Sequence, residues 1–385
     1  MKLKIYRGTH QIGGCITEIT TNNARILIDF GAELEDSGST ILVDGVNCGA
    51  PSCDGVFFTH YHGDHIGLLN EIYLDIPMYM GRFSKDLLLI QNERCRLFDT
   101  IRLNQVNTFV AGRPIQIKDI AITTYRVDHS AYDAYMYLIE ADGKAVLHTG
   151  DFRTHGFKGK SLAYVIEHYL PHIDYLICEG TVLSRDKTTA LTERRLALKA
   201  KEIFEHNKYV FIVCASTNID RIAALCSAVP RGKYCLCDDY QMKVLELVKK
   251  YSSTKDHVYA FKKMLTYGKN LDDKMKKQGF CMFVRAGSPY FENLIAEYKA
   301  YNPLIVYSMW QGYLEQEQIQ NFIAGYDMVA LHTSGHADTQ SLTDVINRIN
   351  PTAVIPIHTE LPEAYEKLNI TSEVIVLKDG EEIEL

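Results

Sequence analysis

Residues 57–67 read FFTHYHGDHIG, and this stretch constrains the chain more than any other. His60, His62, Asp64 and His65 fall within six positions, straight after an apolar run. On extended chain, residues two apart face the same side, so His60 and His62 form a pair. Asp64 and His65 come where HIGLLNEI begins to look helical, and their side chains diverge from that pair. Imidazole and carboxylate together suit Zn²⁺ and Mn²⁺. The divergence suits two ions side by side, and two ions need more ligands than these four residues supply.

The rest of the chain offers them. An apolar, β-branched run repeatedly ends in an acid or a histidine: DGVFFTH, IAITTYRVDH, KAVLHTGD, DYLICEG, YDMVALHTSGH and TAVIPIH. These six patterns predict buried strands that deliver ionisable side chains to one rim, where loops build a site. The opening reads as strands too, in KLKIYRG, GCITEIT and ARILIDFG. FSKDLLLIQNERCRLF and TERRLALKAKEIFEHN carry apolar residues near a 3.6 period and predict helices. Ligand-type residues stop at Glu179 and resume near His332, so about 190–325 reads as a separate α/β insertion. It holds YVFIVCASTNIDRIAALCSAV, a strand, a turn fit to cap a helix, and a helix.

Net charge is −7, but residues 185–300 carry 22 Lys+Arg against 13 Asp+Glu, while the remainder carries 19 against 35. A basic segment in an acidic frame predicts a surface that attracts an anion, or a solvated lysine-rich helical face. The N-terminus shows no apolar signal core, and the apolar runs are too short to cross a bilayer. The ten cysteines lack the doubled spacing of a structural zinc site, including Cys48 with Cys53 and Cys235 with Cys237. Reduced thiols, a cytoplasmic location and no membrane contact are the expectation.

His60-x-His62-x-Asp64-His65 resembles the signature of the metallo-β-lactamase superfamily, and companion motifs follow in Asp29 of ILIDFG, His129 of VDHS, Asp151 of HTGDF and His358 of PIHTE. The resemblance implies an α/β fold, a four-layer αβ/βα sandwich with a dinuclear site. One divalent ion would take His60, His62 and His129. The other would take Asp64, His65 and His358, with Asp151 bridging. Zn is the expected metal and Mn the alternative. Asp29 would orient ligands without binding metal. LICEGT with Glu179 and HTSGHA with His336 are similar to two further motifs of the β-CASP nucleases, and GTHQIGGCITEI is similar to the opening of ribonuclease J. An inserted α/β β-CASP domain is therefore implied. The expected divisions are 1–187 and 329–385 for the sandwich and 188–328 for the insertion. Two features depart from the family. Gly180-Thr181 follows Glu179 where Ser-Thr is usual, and 27 residues follow His358, as in a shortened relative.

The implied activity is metal-dependent hydrolysis of phosphodiester bonds in RNA, single-stranded and cut endonucleolytically or from the 5′ end. Asp64 or Asp151 would share in activating water, and His336, steered by Glu179, would protonate the departing 3′-oxygen. His148, before the Thr-Gly-Asp turn, is expected beside the ligands. His332, the backbone of Ser334 and Gly335, and Ser216, Asn218 and Arg221 of the CASTNIDR segment are candidate phosphate contacts. For these last three the alternative is a plain helix cap with a surface arginine. Trp310 stacks a base or, more in keeping with its class, fills a core. Competing functions are hydrolysis of DNA or a small ester, lactone or thioester, and a nucleic-acid-binding subunit of a larger complex. A homo-oligomer is compatible with all of these.

Overall fold

The computed structural model describes residues 1–34, 41–185, 190–253 and 257–385. They pack as two compact units, one of Met1–Thr154, Lys158–Thr189 and Gly335–Leu385, the other of His155–Phe157 and Ala190–Ser334. The expected division at 187/188 lies outside the described residues. Residues 329–334, expected with the closing part of the sandwich, belong instead to the second unit.

The first unit contains two seven-stranded sheets. One runs Glu382–Glu384, Lys2–Arg7, Ile16–Thr20, Arg25–Ile28, Gly55–Phe57, Met78–Gly81 and Asn107–Phe109. The other runs Glu373–Val374, Ala353–Ile357, Tyr175–Glu179, Lys144–His148, Ala134–Ala141, Ile120–Val127 and Ile115–Ile117. Strand Lys2–Arg7 shows why they stack: alternate residues Leu3 and Ile5 are buried while Lys2 is exposed. Ile5, Ile19, Ile26 and Phe57 of one sheet share a core with Ile122, Tyr137, Ile139, Ile177 and Ile355 of the other. Helix Arg82–Cys95 packs on the first sheet, and Gly159–Tyr169, with Thr339–Ile349 beside it, on the second. The layers are therefore αβ/βα. Helix Thr339–Ile349 buries Leu342, Val345 and Ile346 along one stripe and is capped by Asp338, which accepts from Ser341 N.

Strand direction builds the rim. Strands Lys144–His148, Tyr175–Glu179 and Ala353–Ile357 are parallel, and Ile120–Val127 points the same way because one antiparallel strand separates it from Lys144–His148. Their four C-terminal ends emerge on one edge, where Glu179 ends its strand and the chain just beyond the other three carries His129, Asp151 and His358. Arg25–Ile28 and Gly55–Phe57 are parallel in the other sheet and lead into Asp29 and His60. The pattern YDMVALHTSGH behaves differently. Strand Asp327–Ala330 lies at the edge of the second unit's sheet with all four residues exposed, so its apolar run does not mark a buried strand of the sandwich.

The second unit holds a six-stranded, all-parallel sheet in the order Met264–Thr266, Tyr234–Cys237, Phe280–Val284, Tyr209–Val213, Leu304–Tyr307 and Asp327–Ala330. Tyr209–Val213 and Phe280–Val284 are buried at every position, as strands covered on both faces must be. Helices Glu193–His206, Ile219–Ala228, Asp239–Tyr251 and Pro289–Glu297 supply the cover, the first two where the sequence predicts helices. Among the described residues no helix is long and apolar enough to cross a membrane.

Candidate metal centre

The approach to the site begins with a left-handed residue. Asp29 has φ +61, an uncommon conformation for a residue with a side chain. It turns the carboxylate back to accept from Thr59 N at 2.7 Å and from the Thr59 hydroxyl at 2.8 Å. His65 Nδ1 donates to the same carboxylate at 2.7 Å. Two backbone bonds knit the two loops together, Phe30 N to His65 O and Ala32 N to Gly63 O, and Cys15 N, just before strand Ile16–Thr20, adds a bond to Asp64 O. Gly31 is required there, because a Cβ would lie 1.7 Å from Asp64 O.

Each ligand-type histidine of the far strands is oriented by a group behind it. His129 Nδ1 donates to Gly335 O at 2.6 Å. His358, itself at φ +50, places Nδ1 2.7 Å from the Thr181 hydroxyl. With Nδ1 of His65, His129 and His358 so engaged, Nε2 of each is the nitrogen that faces inward, toward Asp151. These nitrogens converge. His62 Nδ1 lies 3.0 Å from His60 Nε2 and 3.2 Å from His129 Nε2. Asp151 Oδ2 is the hub, 3.2 Å from His65, 3.7 Å from His336 and His358, and 3.8 Å from His60 and His129. Asp64 Oδ2 lies 3.2 Å from His358 Nε2.

Among the sets of side chains close enough to hold a cation are His60, His62 and His129, and Asp64, His65, Asp151 and His358. Their fit to a divalent ion can be tested by spacing. Tetrahedral ligands about 2.0–2.1 Å from Zn²⁺ stand roughly 3.3–3.4 Å apart, close to the separations here. His65 Nε2 and Asp151 Oδ1 are buried with no hydrogen-bond partner among the described residues, as ligand atoms awaiting a cation would be. The residues fit the group.

Electrostatics agree. Burial, reinforced by neighbouring imidazoles, pushes His60 well below its usual value; burial does the same to His129 and brings His62 down to about 4. All three are neutral, as ligands must be. At His65 burial is outweighed by Asp151, Asp64 and Asp29, which hold the imidazole well above its usual value. That negative field, which retains a proton on His65, is the field a cation would meet. Asp151, despite burial, is held far below the usual carboxylate range by His358, His65 and His336. Asp64 is lowered too, by His65 and His358 against the burial.

His336 sits on the same rim but faces differently. Its Nδ1 is 3.0 and 3.1 Å from the two oxygens of Glu179, and the Thr181 hydroxyl is 3.2 Å away. Burial lowers its pKa, but Glu179 and Asp151 win and raise it. Asp151, Glu179, His336 and His358 also form a third group close enough to hold an ion. His148 is buried at the end of its strand, accepts from Gly150 N, and is pushed down to about 4 by burial.

The phosphate candidates fare unevenly. Arg221 is fully buried and is not the surface residue expected. Its guanidinium makes a bidentate pair with Glu193, at 3.0 and 3.1 Å, and bonds Ser308 and Thr333 O, so all its N–H groups are engaged within the second unit. It cannot grip a phosphate. Asn218 is the cap of helix Ile219–Ala228, accepting from Arg221 N. His332 Nδ1 is 3.3 Å from Arg221 Nη1. The Ser334 carbonyl is met by His155 Nε2, and the Ser216 hydroxyl by Arg285. Trp310 is 41% exposed, not core. Sequence reasoning missed Thr59 and Thr181, the hydroxyls that orient the histidines, because a threonine carries no mark of which ring it will touch.

Two family models match this chain: a beta-lactamase superfamily domain over residues 24–212, and a Zn-dependent metallo-hydrolase RNA specificity domain over residues 327–367. The chain belongs to the metallo-β-lactamase superfamily, as a metal-dependent hydrolase with a divalent-metal site. Within it, the chain is similar to ribonuclease J of Mycoplasma pneumoniae, 23% identical over 97% of this chain and 70% of that protein. An RNase J-like protein of Methanocaldococcus jannaschii is 27% identical over 54% of this chain and 50% of that one. A crystal structure of a protein of unknown function from Enterococcus faecalis V583 superposes with a TM-score of 0.80 at 21% identity, covering 100% of this chain and 99% of that one.

Proposed function

We propose that the protein is a ribonuclease that hydrolyses phosphodiester bonds of single-stranded RNA with two divalent ions, Zn²⁺ before Mn²⁺. His60, His62 and His129 would hold one ion and Asp64, His65 and His358 the other, with Asp151 among the ligands. When bound, such ions supply Lewis acidity toward water and toward a phosphate oxygen. The chain's own residues supply the rest. Asp64 or Asp151 accepts a hydrogen bond from the attacking water. Glu179 holds the His336 ring through Nδ1, leaving Nε2 to protonate the departing 3′-oxygen. Asp29, Gly335 O and Thr181 keep the ligand rings in one tautomer. The backbone amide of Gly335 is the proposed phosphate contact of the unit that carries the metal residues.

The observation that carries this reading is the convergence of five imidazoles within 3.8 Å of Asp151 Oδ2, with one of them, His336, held by its own carboxylate. RNA as substrate is supported by the ribonuclease J relatives and by the RNA specificity domain model. A second reading, DNA, has one observation behind it: 27% identity over 117 residues to the DNA cross-link repair protein SNM1 of Arabidopsis thaliana. Turnover of single-stranded RNA, single-stranded DNA and a chromogenic ester should be compared for wild type and Asp151→Ala, with bound metal measured in each. The proposal requires RNA to be preferred, and Asp151→Ala to lose metal together with cleavage. Preferred turnover of DNA or ester, or an Asp151→Ala protein that cleaves normally, would overturn it.

A further inference from the structure

A groove of about 640 Å³ opens on the second unit, lined by Lys208, Tyr209, Asp273, Lys276, Lys277, Tyr301 and Asn302. Topology explains why these residues meet. Lys208 precedes strand Tyr209–Val213, Lys276 and Lys277 end the helix before Phe280–Val284, and Tyr301 precedes Leu304–Tyr307. Those strands are parallel, so their N-terminal ends share one edge of the sheet. Ser216, Asn218 and Arg285 follow the C-terminal ends, at the opposite edge. The groove is thus separate from the phosphate candidates of the same unit.

The floor is fixed and the charges are exposed, with Lys208 Nζ 5.2 Å from the centre of the Tyr209 ring. Gly279 takes φ +85, and a Cβ there would lie 2.5 Å from Lys208 O, so glycine lets the end of helix Asp272–Gln278 abut Lys208. Tyr209, nearly buried, donates its hydroxyl to Lys276 O at 2.8 Å and pins that helix end. The Tyr301 ring lies 5.5 Å from Tyr209 and 6.1 Å from Tyr298, yet Tyr301 remains 51% exposed. A supported ring with an open side, beside three exposed lysines and one aspartate, matches what single-stranded nucleic acid requires: a stacking surface for a base and cations for the flanking phosphates. The volume is within the range of sites that take a small ligand such as one nucleotide.

We propose that this groove is a second binding site for single-stranded nucleic acid, with Tyr301 stacking one base and Lys208, Lys276 and Lys277 meeting adjacent phosphates. It deepens the ribonuclease reading and rests on it for the choice of RNA. Such a site lets the second unit hold strand that the metal centre is not cutting, so it bears on affinity for long substrates and not on chemistry.

The test is binding of a cleavage-resistant phosphorothioate RNA, longer than the ~4–16 nucleotides that one compact site covers, to the full chain by fluorescence anisotropy over a salt series. Substituting Lys208, Lys276 and Lys277 together by Gln should lower the slope of log K against log salt by about 2, at ~0.7 per phosphate contact. Tyr301→Ala should weaken binding about 5- to 150-fold. Lys243, Lys249 and Lys250, on another helix of the same unit, make the control triple, which should leave the slope near wild type. Cleavage of a dinucleotide should be unchanged in every variant. If the groove triple binds with the wild-type slope, or the control lowers the slope equally, the groove is not a site while the ribonuclease reading stands. A wild-type protein that neither binds nor cuts RNA would overturn both.

Discussion

Gly31→Ala tests whether the metal cluster depends on the seam between two loops. The new Cβ would sit 1.7 Å from Asp64 O, 2.3 Å from Asp64 C and 2.9 Å from His65 N. Ordinary carbon contacts need about 3.5 Å, so the loops must separate by roughly 1.8 Å. The atoms displaced are backbone, with no flexible side chain to absorb the shift. At stake are the bonds from Phe30 N to His65 O at 2.8 Å and from Ala32 N to Gly63 O at 3.0 Å, and the carboxylate grip of Asp29 on His65. Overpacking of this kind costs about 1–3 kcal/mol or more, which lowers Tm by roughly 2–12 °C for a unit of this size. Moving Asp64 and His65 by more than ~1 Å should cost at least about 10²-fold in turnover. Gly63→Ala is the control, since a Cβ there meets nothing within 4 Å. Metal per chain by elemental analysis, thermal unfolding and RNA turnover should be measured on both. A Gly31→Ala protein that holds its metal with wild-type affinity and turns over normally would refute the account of the seam, as would a Gly63→Ala protein equally impaired.

His336→Ala should retain metal yet lose about 10²–10⁴-fold in turnover, the contribution of a positioned proton donor; metal loss in this variant would make His336 a ligand instead. Arg221→Met should cost about 3–5 kcal/mol by chemical denaturation, because it strands the buried Glu193 carboxylate. Replacing both partners by Met should recover much of that loss, and a stable Arg221→Met protein with weakened RNA binding would contradict the buried-pair assignment. Burial lowers His148 from 6.5 to about 4. The unfolded chain therefore binds more protons than the folded one between those values, and stability falls as pH drops through that window, by up to about 3 kcal/mol for this group. In metal-free protein His148→Gln should flatten that part of the pH profile, and an unchanged profile would count against it.

Much of the centre was legible because its residue types are rare in combination. THYHGDH places four ligand-type side chains where a strand meets a helix start, and the runs ending before His129, Asp151, Glu179 and His358 advertise their strands by β-branched composition. The structure brings all of them together in one unit. Sequence failed where the meaning of a residue depends on what covers it. Asp327–Ala330 has the same apolar look as the rim strands but lies exposed at the edge of another sheet. Arg221 reads as a surface cation after a helix cap, and only packing shows it sealed against Glu193. Trp310 is a core residue by type, yet it is 41% exposed.

The amino-acid sequence by itself determined which atoms were available for metal chemistry and that strand ends would carry them, since side-chain chemistry and hydrophobic period are local properties. Tertiary structure alone decided which nitrogen of each ring turns inward, which threonine or carbonyl holds it there, and that lysines from segments some seventy residues apart share a groove with Tyr301. Those outcomes follow from parallel strands bringing distant turns to one edge, a juxtaposition that no window of residues encodes.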